Sequence, residues 1–82
     1  MASQERYEAE WEGLRLVVEV RPEHWQAFVY DPAQCEVVYR AERMSMESAK
    51  FAAVEFVAVS QFGPRHNLKA EVIAEMLAWE PL

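Results

Sequence analysis

Residues 45–63 read "SMESAKFAAVEFVAVSQFG", and the fold turns on what this stretch packs against. Ser45 offers a side-chain oxygen to the first free amides of a helix, and Glu47 places negative charge at the positive end of its dipole. Gly63 suits the end of the helix and Pro64 prevents it from continuing. The spacing predicts a helix over 46–62 with two apolar sides. Ala49, Ala52, Ala53 and Phe56 with Val59 form one face, and its small residues permit close approach to a sheet. Phe51, Val54, Ala58 and Phe62 form a second stripe among Glu47, Lys50, Glu55 and Gln61. A helix with two apolar sides wants two neighbours. Left in water, each phenylalanine would forgo ~1.5–3 kcal/mol of burial free energy. The expected neighbours are a sheet on one side and a second helix on the other; the competing arrangement is a dimer contact.

Upstream, the period is two. Leu14, Leu16, Val18 and Val20 point one way, against Arg15, Val17, Glu19 and Arg21. "RPEH" then turns the chain. In "HWQAFVY", Trp25, Ala27 and Val29 share a face opposite His24, Gln26, Phe28 and Tyr30. "DPAQ" sets Asp31 and Pro32 where a type I turn favours them. A third strand in "CEVVYRAE" puts Cys35, Val37, Tyr39 and Ala41 on the core side and Glu36, Val38, Arg40 and Glu42 opposite. Such short connections imply an antiparallel meander. Residues 1–12 are charged and lack a clear period. Tyr7 and Trp11 suit one side of a short helix, while Tyr7, Ala9 and Trp11 suit a strand, and residues 1–6 are expected to fray. Downstream, Asn67 is an expected cap for a helix through "LKAEVIAEMLAW", with Leu68, Val72, Ile73, Met76 and Trp79 on one broad face.

With 82 residues the chain is long enough for one small domain. Its net charge of -6 opposes a nucleic-acid partner and an anionic membrane surface. Cys35 is the only cysteine, so there is no internal disulfide and no cysteine-rich zinc site. The cytosol is the simplest compartment for such a chain. The acidic start is not expected to act as a secretory signal, and no uninterrupted apolar run exceeds the four residues of Phe56–Val59, far too short to span a bilayer. His24 and His66 lack metal-ligand spacing, and Gly13 and Gly63, the only glycines, form no phosphate loop. Cys35 on the core face reads as a small hydrophobe rather than a nucleophile. No cofactor or metal is expected.

One surface resists this reading. If the wholly apolar strand faces meet the helices, the opposite face carries Val17, Phe28, Tyr30 and Val38 among Arg15, Arg21, Gln26 and Arg40. An open antiparallel face is normally polar, and aromatic plus arginine enrichment is typical of interface cores. Arg15, Val17, Phe28, Tyr30, Val38 and Arg40 form the candidate interaction patch. The alternative is that Tyr7 and Trp11 fold back over this face and finish a second small core.

The order of three strands and a helix, with "SMESAKFAAVEF" after the third strand, resembles two families. In the double-stranded-RNA-binding domain the last helix starts S-K-K-x-A-K-x-A-A, and Ser45, Ala49, Lys50, Ala52 and Ala53 match that spacing. Met46 and Glu47 stand where its two phosphate-binding lysines would be, so this resemblance implies the layout without the RNA function. The stretch is also similar to the HicB-like antitoxin N-terminal domain, a βββα unit with an E-x-A-x-x-A-like helix. That resemblance implies an acidic protein binding a small basic toxin. The Gly-aromatic and P-G-C elements of that family are missing here, with "YDPAQCEV" in their place. Both cover residues 14–62.

The expected fold is α+β: a three-stranded antiparallel meander packed against two C-terminal helices, one domain over 1–82. The expected function is a non-enzymatic, bacterial-type protein-interaction domain that self-associates through the sheet face or helix, binding a protein partner or itself as a homodimer. Nucleic acid and membrane are not among its expected partners. Two alternatives stand beside it. One is antitoxin-like neutralisation of a basic toxin. The other is a ligand-binding or catalytic domain with a pocket between sheet and second helix, using Tyr39, His24 and acidic neighbours.

Overall fold

The computed structural model describes residues 5–82. It is α+β, with a sheet of five strands rather than three. β1 (Arg6–Trp11), β2 (Leu14–Val20), β3 (Trp25–Asp31) and β4 (Glu36–Arg43) form an antiparallel meander. α1 (Met46–Phe62), α2 (Ala70–Met76) and the short β5 (Glu80–Pro81) follow, and the sheet order is β4-β3-β2-β1-β5.

The expected three strands are β2, β3 and β4 of this sheet, and the two ends of the chain extend it beyond β2. Trp11 pairs with Leu14, so Glu12 and Gly13 alone make the β1–β2 turn. Their φ angles of 53° and 77° are both positive, as a two-residue turn matching strand twist requires. Gly13 takes this at no steric penalty, whereas Glu12 carries a strain on the order of 1 kcal/mol. Residues 6–11 are therefore strand, with Tyr7 and Trp11 packed against the core on the helix side. They do not fold over the opposite face. Of the segment expected to fray, residues 1–4 lie outside the described residues. Glu5 accepts from the Val20 amide at 2.9 Å and Arg6 from the Leu82 amide at 2.8 Å.

The core is one layer of strand side chains, chiefly Leu16, Val18, Ala27 and Val29, meeting Ala49, Ala53 and Val57 of α1. Ser45 Oγ accepts from the Ser48 amide at 3.1 Å, and the Gly63 amide closes the helix on the Val59 carbonyl. α1 packs on β2, β3 and β4 and also on α2. Val54 and Ala58, from its second stripe, are fully buried. The ends of that stripe are not: Phe51 is 40% and Phe62 51% exposed, with Phe62 leaning on Trp11 at 6.2 Å. Val57 rather than Val59 completes the sheet-facing side, and Phe56 stacks on Tyr39 at 4.5 Å.

α2 departs most from expectation. It starts after Lys69 instead of Asn67, and stops before Trp79, because Leu77 is extended. The Trp79 indole N–H then donates to the Ala74 carbonyl at 2.8 Å, tying the exit of the helix to the start of β5. The inward side is Ala70, Ile73, Ala74 and Leu77, while Leu68, Val72 and Met76 face outward. The side of α2 that meets α1 thus carries the buried Ala70 and Ala74, and the larger Val72 and Met76 are left exposed.

A register shift between Val29 and Tyr30 corrects the third predicted strand. Val29 lies opposite Tyr39 but Tyr30 opposite Val37, leaving Val38 as the extra residue. Beyond this bulge the faces exchange. Val38 packs on the core, Val37 joins the outer face, and Cys35, at φ 55°, is exposed in the turn. The "DPAQ" turn itself forms as expected. The Gln34 amide donates to the Asp31 carbonyl at 3.2 Å, and the Ala33 amide to the Asp31 carboxylate at 2.9 Å. Among the described residues no helix is long and apolar enough to cross a membrane.

Candidate protein-interaction face

Cross-strand register builds the outer face of the sheet as three rows. Arg6, Glu19, Gln26 and Glu42 form the first row. Glu8, Val17, Phe28 and Arg40 form the second, and Glu10, Arg15, Tyr30 and Val37 the third. Arg15, Val17, Phe28, Tyr30 and Arg40 therefore do converge, whereas Val38 is on the other side and Val37 takes its place. Arg6, Glu8 and Glu19 also belong to the face. Only assignment of residues 6–11 to a strand could have revealed Arg6 and Glu8.

Charge and aromatic surface are interleaved here. The Phe28 ring lies between two guanidinium groups, Arg6 at 5.8 Å and Arg40 at 6.0 Å from its centroid. Arg15 covers the Tyr30 ring at 6.0 Å. Each such contact contributes ~0.5–1 kcal/mol at an exposed site. Glu19, 9% exposed, is held between Arg6 at 3.8 Å and Arg21, whose Nη2 donates to it at 2.7 Å. Arg15 is engaged by Glu8 at 3.5 Å and Glu10 at 3.8 Å. Val17 is only 3% exposed beneath these side chains. Around it, Phe28, Tyr30 and Val37 remain half-buried at a shallow depression of about 260 Å³. Arg40 makes no ion pair among the described residues, in contrast to Arg6, Arg15 and Arg21.

Cys35 borders the face. Its thiol lies against the Pro32 carbonyl at 3.5 Å, and its hydrogen bond and charge, with some burial, raise the Tyr30 hydroxyl pKa above the ordinary tyrosine value. Cys35→Ala should lower that titration towards the ordinary value, as read from the Tyr30 ring carbon shift in an NMR pH series. An unmoved curve would show that the thiol does not act on Tyr30.

The larger cleft, about 400 Å³, lies between the two helices rather than between sheet and α2. Glu47, Lys50, Phe51, Glu71, Ala74, Glu75 and Trp79 line it, and neither Tyr39 nor His24 does. Its one cation is occupied, since the Lys50 ammonium sits 5.1 Å from the Trp79 ring and 5.8 Å from that of Tyr7. His24 stands 3.9 Å from Glu42 beside β3. His66 is nearly buried in the inter-helix loop. Its Nδ1 accepts from the Leu68 amide at 3.1 Å, so Nε2 carries the proton that meets Glu55 at 3.1 Å. This is a loop clamp. Among the described residues no group of three His, Cys, Asp or Glu side chains could hold a metal ion. No protein-family model matches the chain, and neither the curated proteins nor the solved structures include a significant match.

Proposed function

We propose that the chain is a small non-enzymatic protein-interaction module whose contact surface is the outer face of its sheet. The observation that carries this reading is Phe28, a half-buried ring held between Arg6 and Arg40 at the middle of a face that no other described element covers. An aromatic anchor flanked by arginine and ringed by charge is the usual composition of an interface centre. A partner that buries Phe28, Tyr30 and Val37 finds Arg40 without an ion pair and so brings a carboxylate to it. Arg15 does not share that role, because Glu8 and Glu10 already neutralise it.

Phe28→Glu tests the face without emptying the core. The new carboxylate falls between the Arg6 and Arg40 guanidiniums, where it is welcome, so circular dichroism should show the fold retained. Wild type, Phe28→Glu and the helix-surface control Met76→Glu would be immobilised as bait in parallel. A protein held by wild type and Met76→Glu should bind Phe28→Glu about 30-fold or more weakly, the loss expected of a central anchor. Equal retention by all three, or unfolding of Phe28→Glu, would overturn the reading.

A further inference from the structure

The two edges of the sheet are treated very differently. β5 closes one side with two residues, one of them Pro81. A proline and a short strand blunt an edge against further pairing. β4 forms the other side with eight residues, containing neither proline nor lysine, and among the described residues it has β3 as its only neighbour. Its bulge falls near the start, which leaves residues 39–43 regular. An edge of this kind presents backbone donors and acceptors to any strand that fits beside it.

The side chains select which strand fits. In an antiparallel two-fold pairing about Ala41, Arg40 lies opposite Glu42 of the second copy and Glu42 opposite its Arg40. Both contacts are on the outer face. Ala41 meets Ala41, and Tyr39 meets Arg43, on the helix side. Shifting the axis by one residue sets Arg40 on Arg40 or Glu42 on Glu42. Directly opposed like charges destabilise a strand pair and opposite charges stabilise it. Arg40 has no ion pair among the described residues, and Glu42 has only His24 at 3.9 Å. On the same rim, Arg43 Nη1 donates to the Glu42 carbonyl at 2.8 Å, a contact that a neighbouring strand would replace.

We propose that β4 pairs antiparallel with β4 of a second copy about an axis at Ala41, so that two sheets join edge to edge and their outer faces become continuous. This identifies one partner as the chain itself. It rests on the chain being an interaction module but not on burial of Phe28, which lies one strand in from the rim; Arg40, which borders both, takes its carboxylate from Glu42 of the second copy. Sedimentation equilibrium from micromolar to millimolar protein should show a dimer. Glu42→Arg and Arg40→Glu, which each oppose like charges at both symmetric contacts, should each raise its dissociation constant at least tenfold. The double variant Arg40→Glu/Glu42→Arg restores opposite charges and should recover wild-type association, a rescue that mere damage to the strand would not give. Ala41→Cys in a Cys35→Ser background should form an inter-copy disulfide on mild oxidation, because directly opposed strand residues stand ~4.5–5.5 Å apart at Cα. A monomer at millimolar concentration overturns the proposal, as does a dimer indifferent to both charge reversals. Phe28→Ala, which removes the aromatic anchor without placing a new charge beside Arg40, should leave the dimer intact, so loss of face binding and loss of edge pairing are read separately.

Discussion

Leu16→Ala should destabilise the domain by ~3–5 kcal/mol, the upper range for a leucine removed from a packed core. Leu16 is fully buried at the centre of β2, with Ala9 opposite it on β1 and Val29 on β3. Small side chains leave little that can relax into the space, because Ala27, Ala49 and Ala53 already form much of this layer. A domain of this size has roughly 4–12 kcal/mol of stability in total. The loss would lower the thermal midpoint by about 10–40 °C. Denaturant unfolding of the two proteins measures it, and a change below about 1 kcal/mol would mean that the β2–α1 layer is not the core.

That layer was also the most legible part of the sequence. Leu14 to Val20 alternates with Val17 as the single apolar exception, and α1 announces itself through Ser45, Gly63 and Pro64. Residues 6–11 were ambiguous for a physical reason. Tyr7 and Trp11 fit a helical spacing, Ala9 between them fits a strand, and Arg6, Glu8 and Glu10 look solvated under either reading. Pairing with β2 decides it, and that is a tertiary effect which local pattern does not encode. The turn contributed no strong signal, since Glu12 is an unusual occupant of a positive φ where asparagine or aspartate is expected.

The exchange of Val37 for Val38 has a related cause. Two adjacent valines satisfy either phase of a period-two pattern, and the bulge at Val38 shows only when β3 fixes the register. In α2, the size of Leu68, Val72 and Met76 drew the expected face outward from where alanines pack. Within the candidate face, Phe28, Arg15 and Arg40 were legible from strand phase alone. The network of Arg6, Glu8 and Glu19 around them was not, because it depends on β1 lying beside β2.

Ala53→Leu is expected to cost the fold about 1–3 kcal/mol or more, for the opposite reason to Leu16→Ala. Ala53 is fully buried where α1 lies on the sheet, one turn from Ala49 and Val57, which are equally buried. The added side chain has nowhere to go on that face. The helix must lift from β2 and β3, or the leucine must adopt a strained rotamer. Lifting α1 also loosens α2, which packs on α1 rather than across the strands. Hydrogen exchange should therefore speed up through residues 70–76 as well as 46–62, while the β2–β3 amides stay the slowest. Ser60→Leu, at an exposed position of the same helix, is the control and should change stability by less than about 0.5 kcal/mol. If Ala53→Leu proved as mild as Ser60→Leu, the close approach of helix to sheet would be wrong.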